Sequence, residues 1–237
     1  MSFYSEFAPY YEQVFPFRED VYDFLKGYAR ADGAVLDIGC GTGHYCGRFA
    51  LDRYAAMGID LDSRMIEAAS TSYPDASFHC MDMSDIGTLS GPFRLMYSIG
   101  NVLSHLSPDK LERFVAKAHS LLAPDGYWVF QVVNRDAMLD RAEYLFPVKA
   151  LDGGAITFHR RYSCISPERV RFGFSLMKGD SAVFSEEFAL YPETAEQYRQ
   201  LHEQAGFAYV GSYGGFDGGA FISERSAALV MVFRKEK

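Results

Sequence analysis

The chain has 237 residues, enough for one large domain or two small ones, and its 49% hydrophobic content supplies a sizeable core. A formal net charge of -8 and a pI near 5.2 argue against a nucleic-acid surface, which is ordinarily basic. Nothing reads as a membrane-crossing run, and Met1 to Glu6 lack the basic and apolar pattern of a signal peptide.

An aromatic-rich segment comes first (Phe3, Tyr4, Phe7, Tyr10, Tyr11, Phe15, Phe17), broken by Pro9 and Pro16, with one short helix expected between the prolines. A helical pattern follows from Glu19 to Ala29, and its plainer use is packing on the main body. Ala34 to Ile38 reads as a buried strand with Asp37 near its carboxyl end. Gly39, Gly41 and Gly43 then alternate where strand must turn into helix, and glycine lets a ligand approach the main chain closely. A helix from Gly43 to Leu51 aims its amide hydrogens and positive dipole end at that ligand. The strand Ala55 to Asp60 closes on a carboxylate 17 positions after Gly43, about where a nucleotide fold holds ribose hydroxyls.

The dinucleotide fingerprint G-x-G-x-x-G fails in both frames, because His44 or Cys46 stands at its third glycine. The pattern Asp37-x-Gly39-x-Gly41-x-Gly43 instead resembles the first motif of the class I S-adenosylmethionine-dependent methyltransferases. An ordinary glycine-rich turn is the plainer alternative; strand, glycines, helix and downstream acid in register weigh against it. The resemblance implies S-adenosylmethionine as cofactor, its amino-acid end on the glycine loop (Asp37, Gly39, Cys40, Gly41, Gly43) and its ribose on Asp60, with Leu61 and Ser98 close by. In the family an N-terminal segment often closes over cofactor and substrate. That implies lid roles for Tyr4, Tyr10 and Tyr11, with Tyr10 towards the cofactor and Tyr11 a candidate catalytic group.

Asp62 and Ser63 cap the next predicted helix, Arg64 to Ser72, and Tyr73-Pro74-Asp75 ends it. A strand from Ser77 to Cys80 leads into Met81-Asp82-Met83. The resemblance implies that Asp82 meets the adenine amino group, with Met81 and Met83 flanking the ring; a helix cap is the other reading of Asp82. Phe93 to Ile99 is the fourth strand, and the loop after it, Gly100 to Leu106, should face the cofactor crevice. This loop is similar to the Gly-Asn-x-x-x-His-Leu stretch of glycine-, sarcosine- and related small-molecule methyltransferases. Asn101 and His105 are therefore candidate catalytic residues, against a structural histidine as the plainer reading.

Ser107-Pro108-Asp109 caps an amphipathic helix, Lys110 to Leu122, and after Ala123-Pro124-Asp125-Gly126 the fifth strand runs from Tyr127 to Val133. The alternation of strand and helix then stops. Residues 155–190 read as three strands, Ala155 to Ile165, Arg169 to Lys178 and Ala182 to Tyr191, joined by hairpin turns. Such an insertion covers the substrate site or forms a dimer face. The last helix runs from Pro192 to Gln204, and the strands Phe207 to Ser212 and Ser226 to Phe233 follow. Their link is similar to the Tyr-x-x-Phe-Asp-Gly-x-x-Phe loop of the same subgroup and is expected near the active site.

The resemblance covers roughly Tyr10 to Arg234. It implies an α/β fold in one domain, 1–237: a Rossmann-like seven-stranded methyltransferase sheet, mostly parallel, with an antiparallel C-terminal hairpin and a three-stranded antiparallel insertion. The expected activity is methyl transfer to a small-molecule acceptor, through nitrogen or oxygen, with His105 or a tyrosine taking the proton or an amine losing it before attack. A cofactor sensor without transfer activity and, more weakly, a nicotinamide enzyme are the alternatives. No metal-ligand constellation is evident, which disfavours a catechol-type mechanism. Cys40, Cys46, Cys80 and Cys164 form no C-x-x-C pair and read as reduced thiols of a cytoplasmic protein. Neither nucleic acid nor membrane is expected as a partner; a homodimer is a possibility the insertion leaves open.

Overall fold

The computed structural model describes residues 10–30 and 33–236. Apolar runs become strands packed on both faces: β1 (Ala34–Ile38) is buried from Val35 onwards and pairs in parallel with β2 (Ala55–Asp60) and β4 (Phe93–Ser98). With β3 (Ser77–Cys80), β5 (Leu122–Val133), β11 (Phe207–Tyr213) and β12 (Ala228–Lys235) they form a seven-stranded sheet ordered β11-β12-β5-β4-β1-β2-β3. The first five strands are parallel; β12 and β11 return antiparallel. Strand order reverses between β1 and β4, so a crevice opens at their carboxyl ends.

Alternation along each strand splits the core into two layers. Val35, Leu95, Val129 and Val230 meet α2 (Glu19–Lys26) and α3 (His44–Leu51) through Leu25 and Phe49. Leu36, Met96, Phe130 and Met231 meet α5 (Pro108–Leu121) and α6 (Ala195–Gln204) through Phe114 and Tyr198. Asp62 caps α4 (Ser63–Ser72) through the amides of Arg64 and Met65, and Thr194 with Gln197 forms a capping box on α6. Ser107 takes the cap position of α5 without a side-chain bond; Pro108 starts the helix instead.

The antiparallel layer is larger than the three predicted strands. β8 (Ile156–Ser163), β9 (Val170–Lys178) and β10 (Ser181–Leu190) are joined by two short strands, β6 (Glu143–Leu145) and β7 (Lys149–Leu151), both paired to β8. Three-residue strands carry no readable alternation, and they form here because β8 offers an edge to pair with. The predicted helix to Ala29 stops at Lys26, and the last strand starts at Ala228 rather than Ser226. Ser226 is instead held in a turn, its amide donating to the Ile222 carbonyl at 2.8 Å and its hydroxyl accepting from the Ile222 amide at 2.9 Å. Between Pro9 and Pro16, the short helix α1 (Tyr11–Val14) forms as expected.

Candidate active site

The crevice widens into a cavity of about 1060 Å³, at the upper end of the roughly 300–1,000 Å³ of single-ligand clefts. One end is the glycine loop. Gly39 and Gly41 adopt φ of 76° and 55°, the left-handed region that side chains disfavour. A Cβ on Gly39 would stand 2.6 Å from Val102, and one on Gly41 would stand 2.5 Å from the Tyr11 ring. Backbone bonds pin the loop to β2: the amides of Gly39 and Cys40 donate to the Ile59 carbonyl at 2.8 and 3.0 Å.

Asp60 holds the same junction. Its carboxylate accepts from the Gly41 amide at 2.9 Å and the Asp62 amide at 3.0 Å. Burial still raises its pKa, against those two bonds. Asp37 is buried at the end of β1, where desolvation raises its pKa to about 8 although the Tyr97 hydroxyl donates to it at 2.9 Å. Two acids deprived of water at a loop of close-approaching backbone fit a ligand that brings positive charge and hydroxyl donors.

Asp37, Gly39, Cys40, Gly41, Asp60, Leu61, Met81, Asp82, Met83, Asn101, His105 and Tyr11 all lie on the cavity wall. Three of the sequence candidates do not. Ser98 is buried, its hydroxyl donating to the Ile38 carbonyl at 2.8 Å; Gly43 lies beneath Phe78; Tyr10 packs with Val14 and Met65. Tyr4 lies outside the described residues. Asp82 accepts from the Ser84 amide at 2.7 Å, so it caps a 3-10 turn (Met83–Thr88) while also facing the cavity.

The loop after β4 is organised by Asn101, in the left-handed region at φ 71°. Its Oδ1 accepts from the Val133 amide at 3.0 Å and the Ser104 hydroxyl at 2.9 Å, and its Nδ2 donates to the Tyr162 hydroxyl at 3.0 Å. The amide thus ties β5 to β8 while Asn101 also lines the cavity. His105 keeps its ring surface open to the cavity, and its ring stands 5.0 Å from that of Phe188. Partial desolvation by the surrounding protein lowers its pKa to about 4, although the residue keeps an exposed surface.

The other end of the cavity is aromatic: Phe146, Phe158, Tyr162, Phe172 and Phe174 of the antiparallel layer, with Arg160 and Lys149 among them. These residues were not sequence candidates. In a strand they alternate as any half-buried sheet does, so nothing in the pattern marks a wall. His44 was noticed only for breaking the dinucleotide fingerprint, yet it lines the cavity, nearly buried, with its pKa lowered by burial. The link between β11 and β12 reaches the wall through Gly214, Phe216 and Asp217.

A methyltransferase domain matches residues 35–126, the segment from β1 to the turn inside β5. The chain is 30% identical to the ubiquinone biosynthesis O-methyltransferase of Chromobacterium violaceum over 56% of this chain and 57% of that one. It is 28% identical to the dTDP-4-amino-2,3,4,6-tetradeoxy-D-glucose N,N-dimethyltransferase of Saccharopolyspora spinosa over 53% and 47%. The chain thus spans about half the length of these curated relatives. An S-adenosylmethionine-dependent methyltransferase structure from Clostridium acetobutylicum superposes with a TM-score of 0.79 over 100% of both chains, at 14% identity. Sheet order, glycine loop and matched domain agree: residues 35–126 match a methyltransferase domain, and the chain has the fold of a solved S-adenosylmethionine-dependent methyltransferase.

Proposed function

We propose that the whole chain is one catalytic domain that transfers a methyl group from S-adenosylmethionine to a nitrogen or oxygen of a small molecule. One observation carries this reading. A single cavity joins a glycine loop flanked by buried Asp37 and half-buried Asp60 to an aromatic chamber roomy enough for a second molecule. The two relatives above, named for an O- and an N-methyl transfer, support both nucleophiles.

Asp60 would accept the ribose hydroxyls, Asp82 the adenine amino group, and Asp37 would face the positive charge of the amino-acid end. Bound there, the cofactor supplies a methyl on a sulfonium, whose departure as a neutral sulfide needs no acid. The protein's part is to dry the chamber and hold the acceptor's lone pair in line. His105, neutral throughout the physiological range, accepts a hydrogen bond from the acceptor's N–H or O–H and orients it. With a pKa near 4 it is a poor resting place for a proton, so the released proton passes on to water.

Segment α1 closes the glycine-loop end. Tyr11 covers Gly41, and Glu12 accepts from the Thr42 hydroxyl at 3.1 Å. Gln13 and Asp152 exchange two bonds of 3.0 Å, and Lys149 donates to the Val14 carbonyl, so α1 bridges both ends of the cavity. The exposed Leu145 and Val148 support self-association through the insertion, which sedimentation velocity tests. Four free thiols support a reducing, cytoplasmic setting. Thermal shift tests cofactor choice: S-adenosylhomocysteine raises the melting temperature and NAD does not, whereas stabilisation by NAD alone would sink the reading.

A further inference from the structure

The inner face of β8 carries Ile156, Phe158, Arg160 and Tyr162 in alternation, so a cation occupies a position where its neighbours are apolar. The Arg160 guanidinium lies 4.8 Å from the ring centroid of Phe146, 5.5 Å from Phe158 and 5.8 Å from Phe15. Its Nε is buried, with no hydrogen-bond partner among the described residues. Lys149, opposite Phe158 in the register of β7 and β8, lines the same cavity 5.4 Å from the Phe15 centroid. Desolvation lowers the pKa of both groups, and the positive charge of Arg160 lowers that of Lys149 further.

Among the described residues no ion pair joins either cation to a carboxylate, whereas Arg161, one position on and outward, pairs with Glu187 at 2.6 Å. Glu186 shares the cross-strand row of Arg160, but Phe174 stands between them and Glu186 is exposed. Aromatic faces offset part of the cost of burying a cation; they do not neutralise two that repel each other. The glycine-loop side of the cavity carries Asp37, Asp60 and Asp82, and the wall also includes Arg18, itself paired with Asp20, and Lys110. Arg160 and Lys149 are the cations of the aromatic chamber.

We propose that the methyl acceptor is an anion, a small molecule whose carboxylate or phosphate is held by Arg160 and Lys149 while its nucleophile points towards His105. This rests on the methyltransferase reading and names the acceptor class within it. Planar, forked donors on Arg160 suit both head groups, and Lys149 adds a point charge beside them.

Calorimetric titration of phenylacetate, phenyl phosphate and uncharged phenylacetamide into protein saturated with S-adenosylhomocysteine tests the proposal. Saturation is itself the control, since a chain that does not take S-adenosylhomocysteine fails the methyltransferase reading before any anion is added. At least one of the two anions binds about tenfold or more tightly than phenylacetamide, and the better anion identifies the head group. Arg160→Gln abolishes that preference, with affinity for S-adenosylhomocysteine kept within about threefold, and Lys149→Gln weakens it. Arg161→Gln removes the same charge from the outer face and leaves the preference intact. Equal binding of all three probes, no binding of either anion, or an undiminished preference in Arg160→Gln overturns the proposal. Should Arg160→Gln fail to fold, Lys149→Gln decides, and a preference left whole there overturns it equally.

Discussion

Two carboxylates, Asp37 and Asp60, lie beside the glycine loop on the cavity wall. Replacing Asp60 with Ala removes charge-assisted acceptors and weakens binding of S-adenosylhomocysteine by about 1–3 kcal/mol; unchanged affinity would mean that another residue holds the ribose. Asp37 behaves differently, because its pKa near 8 in the folded protein lies far above the roughly 3.9 of an unfolded chain. Between those values the folded form keeps a proton that the unfolded form has lost. The stability that Asp37 contributes is therefore complete below about pH 4 and disappears as pH rises through about 8. A cationic ligand lowers that pKa, so S-adenosylmethionine and S-adenosylhomocysteine, which share the charged amino-acid end, both release a proton on binding at pH 7. Calorimetry in two buffers of different ionisation enthalpy reads the release. No proton release, or the same release from Asp37→Asn, would contradict this role.

The loop Gly100 to Leu106 and the segment α1 act as joints between the two sheets. Because the Asn101 amide is spent on Val133, Ser104 and Tyr162, Asn101→Ala lowers stability by about 1–3 kcal/mol in urea denaturation. His105→Ala spares stability and instead lowers turnover, with no titration step between pH 5 and 8 removed from the profile, since the native ring is already neutral there. A loss of stability without a loss of turnover would make His105 structural. The difference between these neighbours marks how far the sequence could be read. Asp37, the glycines and Asp60 were legible because their chemistry is local: strand, turn and acid lie within one short stretch. The partners of Asn101 come from β5 and β8, and no local pattern reveals them. Arg160 was illegible for the same reason. A charged residue in a strand ordinarily faces water, and only the pairing of β8 with β7 and β9 turns it inward. The short strands β6 and β7 escaped notice because three residues carry no period.

Across the whole molecule, the parallel sheet supplies a rigid floor and the antiparallel layer a roof, with the loop after β4 between them. Rigidity rests partly on a polar knot inside the core: His202 is fully buried, donating from Nδ1 to the Tyr198 carbonyl at 2.6 Å and accepting from Trp128 Nε1 at 3.1 Å. Burial lowers its pKa to about 4, so it must stay neutral to fold, and its contribution to stability is lost as pH falls from about 6.5 to about 4. His202→Leu strands the Trp128 N–H and costs about 1–3 kcal/mol, and it removes that acid-side slope; an unchanged slope would place the titration elsewhere. Transfer of a methyl group to a small molecule is tested most directly by incubating the protein with methyl-labelled S-adenosylmethionine and a low-molecular-mass metabolite extract and following the label by chromatography. Label is expected to leave the cofactor and appear in a small anionic product, with S-adenosylhomocysteine formed in equal amount. Tight binding of S-adenosylmethionine with all label remaining in the cofactor, or label found only in protein or nucleic acid when a whole lysate is supplied, would contradict it.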